Sequence, residues 1–290
     1  MPYARFVMSR VFQALEKAEK EKKQKRKEDL PLESFEDKAV LRKEVATLKF
    51  PEEQMQKLEE LGLPPREETP VLIVPPHSFA GEEFRKLKAQ IFQRLPNPPH
   101  SILITSTTPG EGKTMVSVNL AMAISQEIHR KAILVDADLR KPSIHLEKSQ
   151  TSKGLSNYLS DGTPLSEILI NSEMENLQII LAGTSTKKPS ELIGSKRMQE
   201  LLKCLRESGD NTYVIFDSSP IISTTEPTLL SRMVDGIVLV LMADRTPKES
   251  VSRSIKSIDR QKIIGVVFNQ IDLKPSSYYS KYYYRYYRKY

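Results

Sequence analysis

"SILITSTTPGEGKTMVSVNLA" (101–121) reads as an apolar strand, a glycine-rich turn and a helix. The phosphate-loop pattern is a glycine, four variable residues, then Gly-Lys-Ser/Thr. "TTPGEGKT" (107–114) supplies Gly112, Lys113 and Thr114, with Thr107 in place of the first glycine. Gly110 and Gly112 let the backbone curl so that successive N–H groups point at phosphate oxygens. The following helix adds partial positive charge at its N-terminus. Lys113 can then reach β- and γ-phosphates, and the Thr114 hydroxyl can bind Mg2+. Thr108, Pro109, Gly110, Glu111, Gly112, Lys113 and Thr114 are thus the expected lining of a nucleotide site.

From residue 101 onward, short apolar runs alternate with amphipathic stretches. The runs are "SILIT" (101–105), "AILVD" (132–136), "LQIIL" (177–181), "YVIF" (213–216), "GIVLVL" (236–241) and "IIGVVF" (263–268). Apolar strands separated by helices predict a doubly wound, mostly parallel α/β sheet with helices on both faces. Together with the loop, this is the P-loop NTPase fold class.

Two further strands end in acid. "AILVDADLRKP" (132–142) places Asp136 and Asp138 after one strand, and "TYVIFDSSP" (212–220) places Asp217 after another. Ligands of open α/β sheets bind outside the carboxyl ends of the strands. The phosphate loop, Asp136/Asp138 and Asp217 are therefore expected in one crevice. Carboxylates beside a triphosphate call for a cation, for which Mg2+ is the expected choice. A spare carboxylate can accept a proton from an attacking hydroxyl.

The chain has 290 residues, a formal net charge of +7 and a mean hydropathy of −0.42. Its single cysteine, Cys204, excludes an intrachain disulfide and favours a cytosolic setting. Cys204 lies in "RMQELLKCLRES", at helical spacing from Leu201 and Leu205, and is expected to be buried. No apolar run approaches the ~20 residues of a membrane span, and no signal-peptide pattern opens the chain.

The organisation reads as four parts. Residues 1–30 carry a charged helix, with Val11, Phe12 and Leu15 on one face and i,i+4 pairs such as Glu16–Lys20 behind them. The helical pattern begins at Met8, so initiation there is an alternative to Met1. Residues 31–75 read as linker with one short helix between Pro51 and Gly62, and "VLIV" (71–74) is a strand candidate. Residues 76–275 hold the catalytic domain, opening on a helix with Ser78 as N-cap and Phe84, Leu87 and Ile91 on one face. Residues 276–290 form a tail containing Tyr278, Tyr279, Tyr282, Tyr283, Tyr284, Tyr286, Tyr287 and Tyr290, interleaved with Lys281, Arg285, Arg288 and Lys289.

"ITSTTPGEGKT", "ILVDADLRKP" and "VIFDSSP" together resemble the three nucleotide motifs of the bacterial tyrosine kinases, over roughly residues 76–290. The resemblance implies ATP-dependent phosphorylation of tyrosine, largely on the enzyme's own C-terminal cluster. It implies control of capsular or extracellular polysaccharide polymerisation and export. By the same resemblance, Thr114, Asp138 and Asp217 hold Mg2+, Lys113 binds the β/γ-phosphates, and Asp136 receives the tyrosine proton. Arg140 sits beside the phosphates or the arriving tail, and Asn269 contacts adenine. "EEFRKLK" (82–88) matches the family's oligomerisation motif at Glu82 and Arg85, with Lys88 where the family has arginine; lysine lacks the planar fork of that residue. "AGTSTKKPSELI" (182–193) resembles a loop near the nucleotide. The partners that the resemblance implies are a separate transmembrane polysaccharide co-polymerase that activates the kinase, further copies of the chain assembled in a ring, and a tyrosine phosphatase. The expected location is cytoplasmic, at the inner face of the membrane through that partner.

Three other readings compete. A partitioning or division-site ATPase, acting as a positioning switch without kinase activity, shares the fold but carries a signature lysine where this chain has Thr108. A GTPase is approached by "FNQID" (268–272), but Gln270 replaces the lysine of the guanine-reading motif, and Pro220 follows Asp217 where glycine is usual. A nucleic-acid binder would use the basic, aromatic tail for stacking. Stacking does not require tyrosine to the exclusion of Phe and Trp, whereas phosphoryl acceptance requires the hydroxyl, so no nucleic acid is expected.

Overall fold

The structure is a computed structural model that describes residues 73–76, 78–94, 97–146 and 153–271. The expected charged helix at 1–30, the short helix in the linker and the tyrosine tail lie outside the described residues. Helix α1 (Phe79–Arg94) precedes β1 (Ser101–Ser106), α2 (Lys113–Ser125) and β2 (Lys131–Asp136). Then come α3 (Leu155–Asp161), α4 (Leu165–Ile168), β3 (Leu169–Asn171), β4 (Leu177–Ile180), α5 (Pro189–Ile193) and α6 (Lys196–Glu207). The last third supplies β5 (Thr212–Asp217), α7 (Glu226–Met233), β6 (Gly236–Met242), α8 (Lys248–Ser257), a 3-10 turn (Arg260–Lys262) and β7 (Ile263–Asn269).

The seven strands form one sheet in the order β3-β4-β2-β5-β1-β6-β7. All neighbours are parallel except β3 and β4. This is the doubly wound, mostly parallel sheet that the apolar runs predict. β3 was not foreseen: it is a three-residue edge strand without a long apolar run.

The central strands are buried along most of their length and carry unbroken apolar runs because both faces are covered. On one face Leu103, Ile133, Val214, Phe216 and Leu239 pack with Met198, Leu201, Leu205, Leu230 and Val251 of α6, α7 and α8. On the other, Ile102, Ile104, Leu134, Ile215 and Val238 pack with Val116, Leu120 and Ile124 of α2 and with Ile91 and Phe92 of α1. Helix α2 contacts both the sheet and α1. That explains why "KTMVSVNLAMAIS" carries small or apolar residues nearly all the way round and no charge after Lys113.

Ser78 caps α1 as expected, its Oγ accepting from Gly81 N–H at 3.1 Å. The strand expected at 71–74 is corrected where it is described. Ile73 and Val74 carry no strand, and the Val74 N–H donates to Asn119 Oδ1 on α2 at 2.8 Å instead of to a ladder. Residues 71 and 72 lie outside the described residues. Cys204 is also corrected: it is exposed. The buried stripe of α6 is Met198, Leu201, Leu202 and Leu205, and at 3.6 residues per turn Cys204 falls roughly 100° away from its centre. No helix among the described residues is long and apolar enough to cross a membrane.

Phe216 is completely buried in β5, one residue before Asp217. Phe216→Ala is expected to cost about 3–5 kcal/mol of stability, read as a fall in the urea midpoint. A midpoint unchanged from the parent would contradict this packing.

Candidate functional site

Strand register builds the site. Asp136 of β2 pairs with Asp217 of β5, and Ile104 of β1 pairs with the same Asp217. Because these three strands are parallel and adjacent, the turn after β1 and both acidic strand ends emerge on one edge of the sheet.

The turn at 107–114 leads directly into α2, with Gly112 as its N-cap. Gly110 and Gly112 have φ of 82° and 89°, the left-handed region that favours glycine. A Cβ on Gly112 would also sit 2.0 Å from Asn269 Nδ2. Thr107, by contrast, is not among the residues with positive φ, so a side chain is tolerated where the motif has its first glycine. It is fully buried, and its carbonyl accepts from Ile222 N–H at 3.2 Å.

Lys113 and Thr114 open α2 and point at the acids. Lys113 Nζ lies 3.3 Å from Asp138 Oδ2, 3.7 Å from Asp217 Oδ2 and 3.1 Å from Thr114 Oγ1. The Thr114 hydroxyl donates to Asp217 Oδ2 at 2.6 Å. Ser117, one turn further along α2, brings its Oγ within 3.0 Å of Asp217 Oδ1. The sequence reading missed Ser117, although its position three residues after Thr114 puts both hydroxyls on one helix face.

The electrostatics follow from three carboxylates around one ammonium. Burial pushes Asp136 up to about 7, reinforced by repulsion from Asp217. Burial also raises Asp217, against the opposing pull of Lys113, Thr114 and Ser117. Burial works against the charge on Lys113, but Asp217, Asp138 and Asp136 outweigh it and raise its pKa. Asp136 is fully buried, and its carboxylate organises the next loop: Oδ1 accepts from Asp138 N–H at 3.1 Å, and Oδ2 from Ser143 and Ile144 N–H at 3.2 Å each.

The donor set suits Mg2+. That ion takes one hydroxyl and one or two carboxylates from the protein and leaves the rest of its octahedron to phosphate and water. Thr114, Asp138 and Asp217 are such a set. No cluster of three or more acidic, His or Cys side chains able to form an all-protein cage occurs among the described residues.

The remaining expected residues fall in three places. Asn269, at the end of β7, donates from Nδ2 to Glu111 O at 2.9 Å, so this strand end rests on the phosphate loop. Glu111 is buried and turned inward: Oε2 accepts from Thr108 N–H at 2.8 Å, and Oε1 from the Thr246 hydroxyl after β6. It therefore braces the turn from behind, with Thr246 as a partner the sequence did not reveal. Arg140 donates from Nε to Glu226 Oε1 at 2.9 Å and lies beside Ser190 of the 182–193 segment.

Glu82, Arg85 and Lys88 stand apart on α1. Arg85 pairs with Glu82 at 2.6 Å, both partly exposed. The Lys88 side chain is only 12% exposed and is committed within the chain, to Glu127 Oε1 at 2.8 Å and Ala123 O at 3.1 Å at the far end of α2. The tail tyrosines Tyr278 to Tyr290 lie outside the described residues.

An AAA domain family matches residues 100–265. The tyrosine-protein kinase YwqD of Bacillus subtilis is 31% identical over 216 residues, covering 73% of this chain and 90% of the relative. The putative tyrosine-protein kinase CapB of Staphylococcus aureus is 32% identical over 212 residues, covering 71% and 92%. Among solved structures, the chimerical protein CapA2B2 superposes with a TM-score of 0.64 at 29% identity, covering 75% of this chain and 98% of that one. The BceF tyrosine kinase domain gives 0.59 at 28% identity, with 74% and 87% covered.

Gly112→Ala is expected to weaken ADP binding by at least roughly tenfold, equivalent to ~1.4 kcal/mol, because both the φ and the contact with Asn269 oppose a Cβ. Fluorescent-nucleotide titration reads the effect. An affinity within twofold of the parent would mean that the turn does not hold the phosphates.

Proposed function

This chain belongs to the bacterial tyrosine-protein kinases, and from that premise we propose that it transfers the γ-phosphoryl group of ATP to the tyrosines of its own C-terminal cluster. The observation that carries the proposal is the convergence of Lys113, Thr114, Asp138 and Asp217, linked at 2.6–3.7 Å, on the edge of the sheet where the phosphate loop emerges.

Thr114, Asp138 and Asp217 would hold Mg2+, which offsets charge on the β- and γ-phosphates. The backbone from Thr108 to Thr114 cradles those phosphates, and Lys113 neutralises charge that builds as the bond to the leaving group weakens. The tyrosine Oη–P bond forms as the bond from the γ-phosphorus to the bridging oxygen breaks, and ADP leaves. The phenolic proton passes to a carboxylate. We assign it to Asp136, whose raised pKa suits proton acceptance near neutral pH and whose direction is fixed by three backbone N–H groups. Asn269, at the rim beside Glu111, is assigned to the adenine, in keeping with ATP rather than GTP.

The tail carries four cationic side chains, Lys281, Arg285, Arg288 and Lys289, and no acid. Unmodified, it suits an acidic, nucleotide-charged crevice. Each phosphate adds about −1.5 to −2 charge, so a few transfers reverse its sign and favour its release. Glu82 and Arg85 are the exposed part of the motif assigned to contacts between copies of the chain. Lys88, held by Glu127, would act on those contacts through the setting of α1. As a further part of the proposal, resting on membership of this family, the chain would act in polysaccharide export beside a transmembrane activator. That activator would hold the kinase at the inner face of the membrane. A tyrosine phosphatase would reset the tail.

Incubation of the purified full chain and its activator with ATP and Mg2+, followed by peptide mapping, tests the reading. Phosphotyrosine is expected within 278–290 and is expected to vanish in Lys113→Ala. Its absence from the parent, or its persistence in that variant, would overturn the proposal. Asp136→Asn is expected to lower the rate by 100-fold or more, within the range of about 10²–10⁴ for general base catalysis. Full activity would move the base role to Asp138, the more exposed of the two carboxylates.

A further inference from the structure

Glu226 opens α7 and is 1% exposed, although no sequence motif points to it. Its Oε1 accepts from Arg140 Nε and from Ser190 Oγ, each at 2.9 Å. Ser190 Oγ lies in turn 3.3 Å from Arg140 Nη2 and 3.0 Å from Thr225 Oγ1. The loop after β2, the start of α5 and the start of α7 thus meet on one carboxylate.

The carboxylate is suited to that task. Burial pushes its pKa up, but its own backbone N–H, the hydroxyls of Ser190 and Thr224 and the Arg140 guanidinium together hold it below the ordinary glutamate value. The N-terminus of α7 favours the same charge. Glu226 is therefore an anion at neutral pH, facing a guanidinium.

Arg140 gains an orientation from this pairing. Its side chain is 49% exposed, and a long cation in that setting is ordinarily free to change rotamer. The contacts to Glu226 and Ser190 use two of its five N–H donors and leave three available to an anion. Its backbone is two residues from Asp138, which faces Lys113 at 3.3 Å. The guanidinium is thus held, half exposed, on the same loop after β2 that carries Asp138.

We propose that Glu226 is the positioning residue for Arg140: its buried carboxylate, with Ser190, aims the free guanidinium donors at the phosphoryl group in transfer. The proposal rests on the reading of the crevice as a phosphoryl-transfer site. A guanidinium held in advance stabilises the transition state without paying for its own ordering at the moment of reaction. The competing account is a latch that only holds α7 to α5.

The test is a double-mutant cycle on the full chain with its activator, with Arg140→Ala, Glu226→Ala and the double variant. The shape-preserving Glu226→Gln is made as well. Tail phosphorylation and thermal unfolding are measured for each. If Glu226 acts through Arg140, Glu226→Ala lowers kcat about tenfold, the scale of one lost charge-assisted hydrogen bond. KM for ATP then stays within about twofold, since the interaction strengthens in the transition state. The double variant is no slower than Arg140→Ala alone. Losses that multiply, or an unchanged kcat in Glu226→Gln, would overturn the proposal. Should Glu226→Ala fail to fold, Glu226→Gln and Ser190→Ala carry the cycle. A second readout is independent of activity. In 15N-labelled protein, the Arg140 Nε–H resonance, assigned by its loss in Arg140→Lys, is expected to shift and exchange faster in Glu226→Gln, and an unmoved resonance would refute the contact. A parent chain that makes no phosphotyrosine sinks the kinase reading, while the resonance still decides whether Glu226 holds Arg140.

Discussion

One partly buried ammonium answers three buried carboxylates at the edge of this sheet, and the rest of the site follows from keeping them together. Asp136, Asp138 and Asp217 are each at most 4% exposed, and Lys113 is the cation among them. Such a cluster is costly to bury unless every oxygen has a donor. The protein supplies these donors locally: Thr114 and Ser117 from α2 for Asp217, and the backbone of 138–144 for Asp136. In the proposed reaction, that excess negative charge would favour a divalent cation bridging the carboxylates to the phosphates.

The parallel sheet is the constraint that makes this arrangement possible. Parallel neighbours put their carboxyl ends on the same edge, so the register of β2, β5 and β1 brings two acids and a phosphate-binding turn together. An antiparallel strand among them would send one acid to the opposite edge. The only antiparallel pairing among the described strands, β3 with β4, lies at the border of the sheet away from the site.

Much of this was legible in the sequence because it is written locally. A continuous apolar run means a strand covered on both faces, and an acid directly after it marks a strand end. Gly110 and Gly112 announce a turn that a Cβ would spoil, while Thr107 departs from the motif at a position whose φ tolerates a side chain. Local pattern failed where packing, not periodicity, decides. "VLIV" looks like a strand, but Val74 spends its N–H on Asn119. Cys204 has helical spacing to Leu201 and Leu205, yet it sits beside the stripe and not in it. The supports of the site were illegible for another reason. Thr246 lies 135 residues from Glu111, and Glu226 lies 86 from Arg140. Nothing in either local stretch names its partner; only the winding of the sheet brings them together.

The account makes the crevice an enzyme and the tail its substrate, and the most direct measurement separates the two. A chain ending at residue 275, with its site intact, is mixed with a full-length chain carrying Lys113→Ala, together with the activator, ATP and Mg2+. The account predicts phosphotyrosine on the tail of the second chain, supplied by the first. Hydrolysis of ATP without any label on that tail would contradict it, leaving a nucleotide switch that shares the fold but not the chemistry.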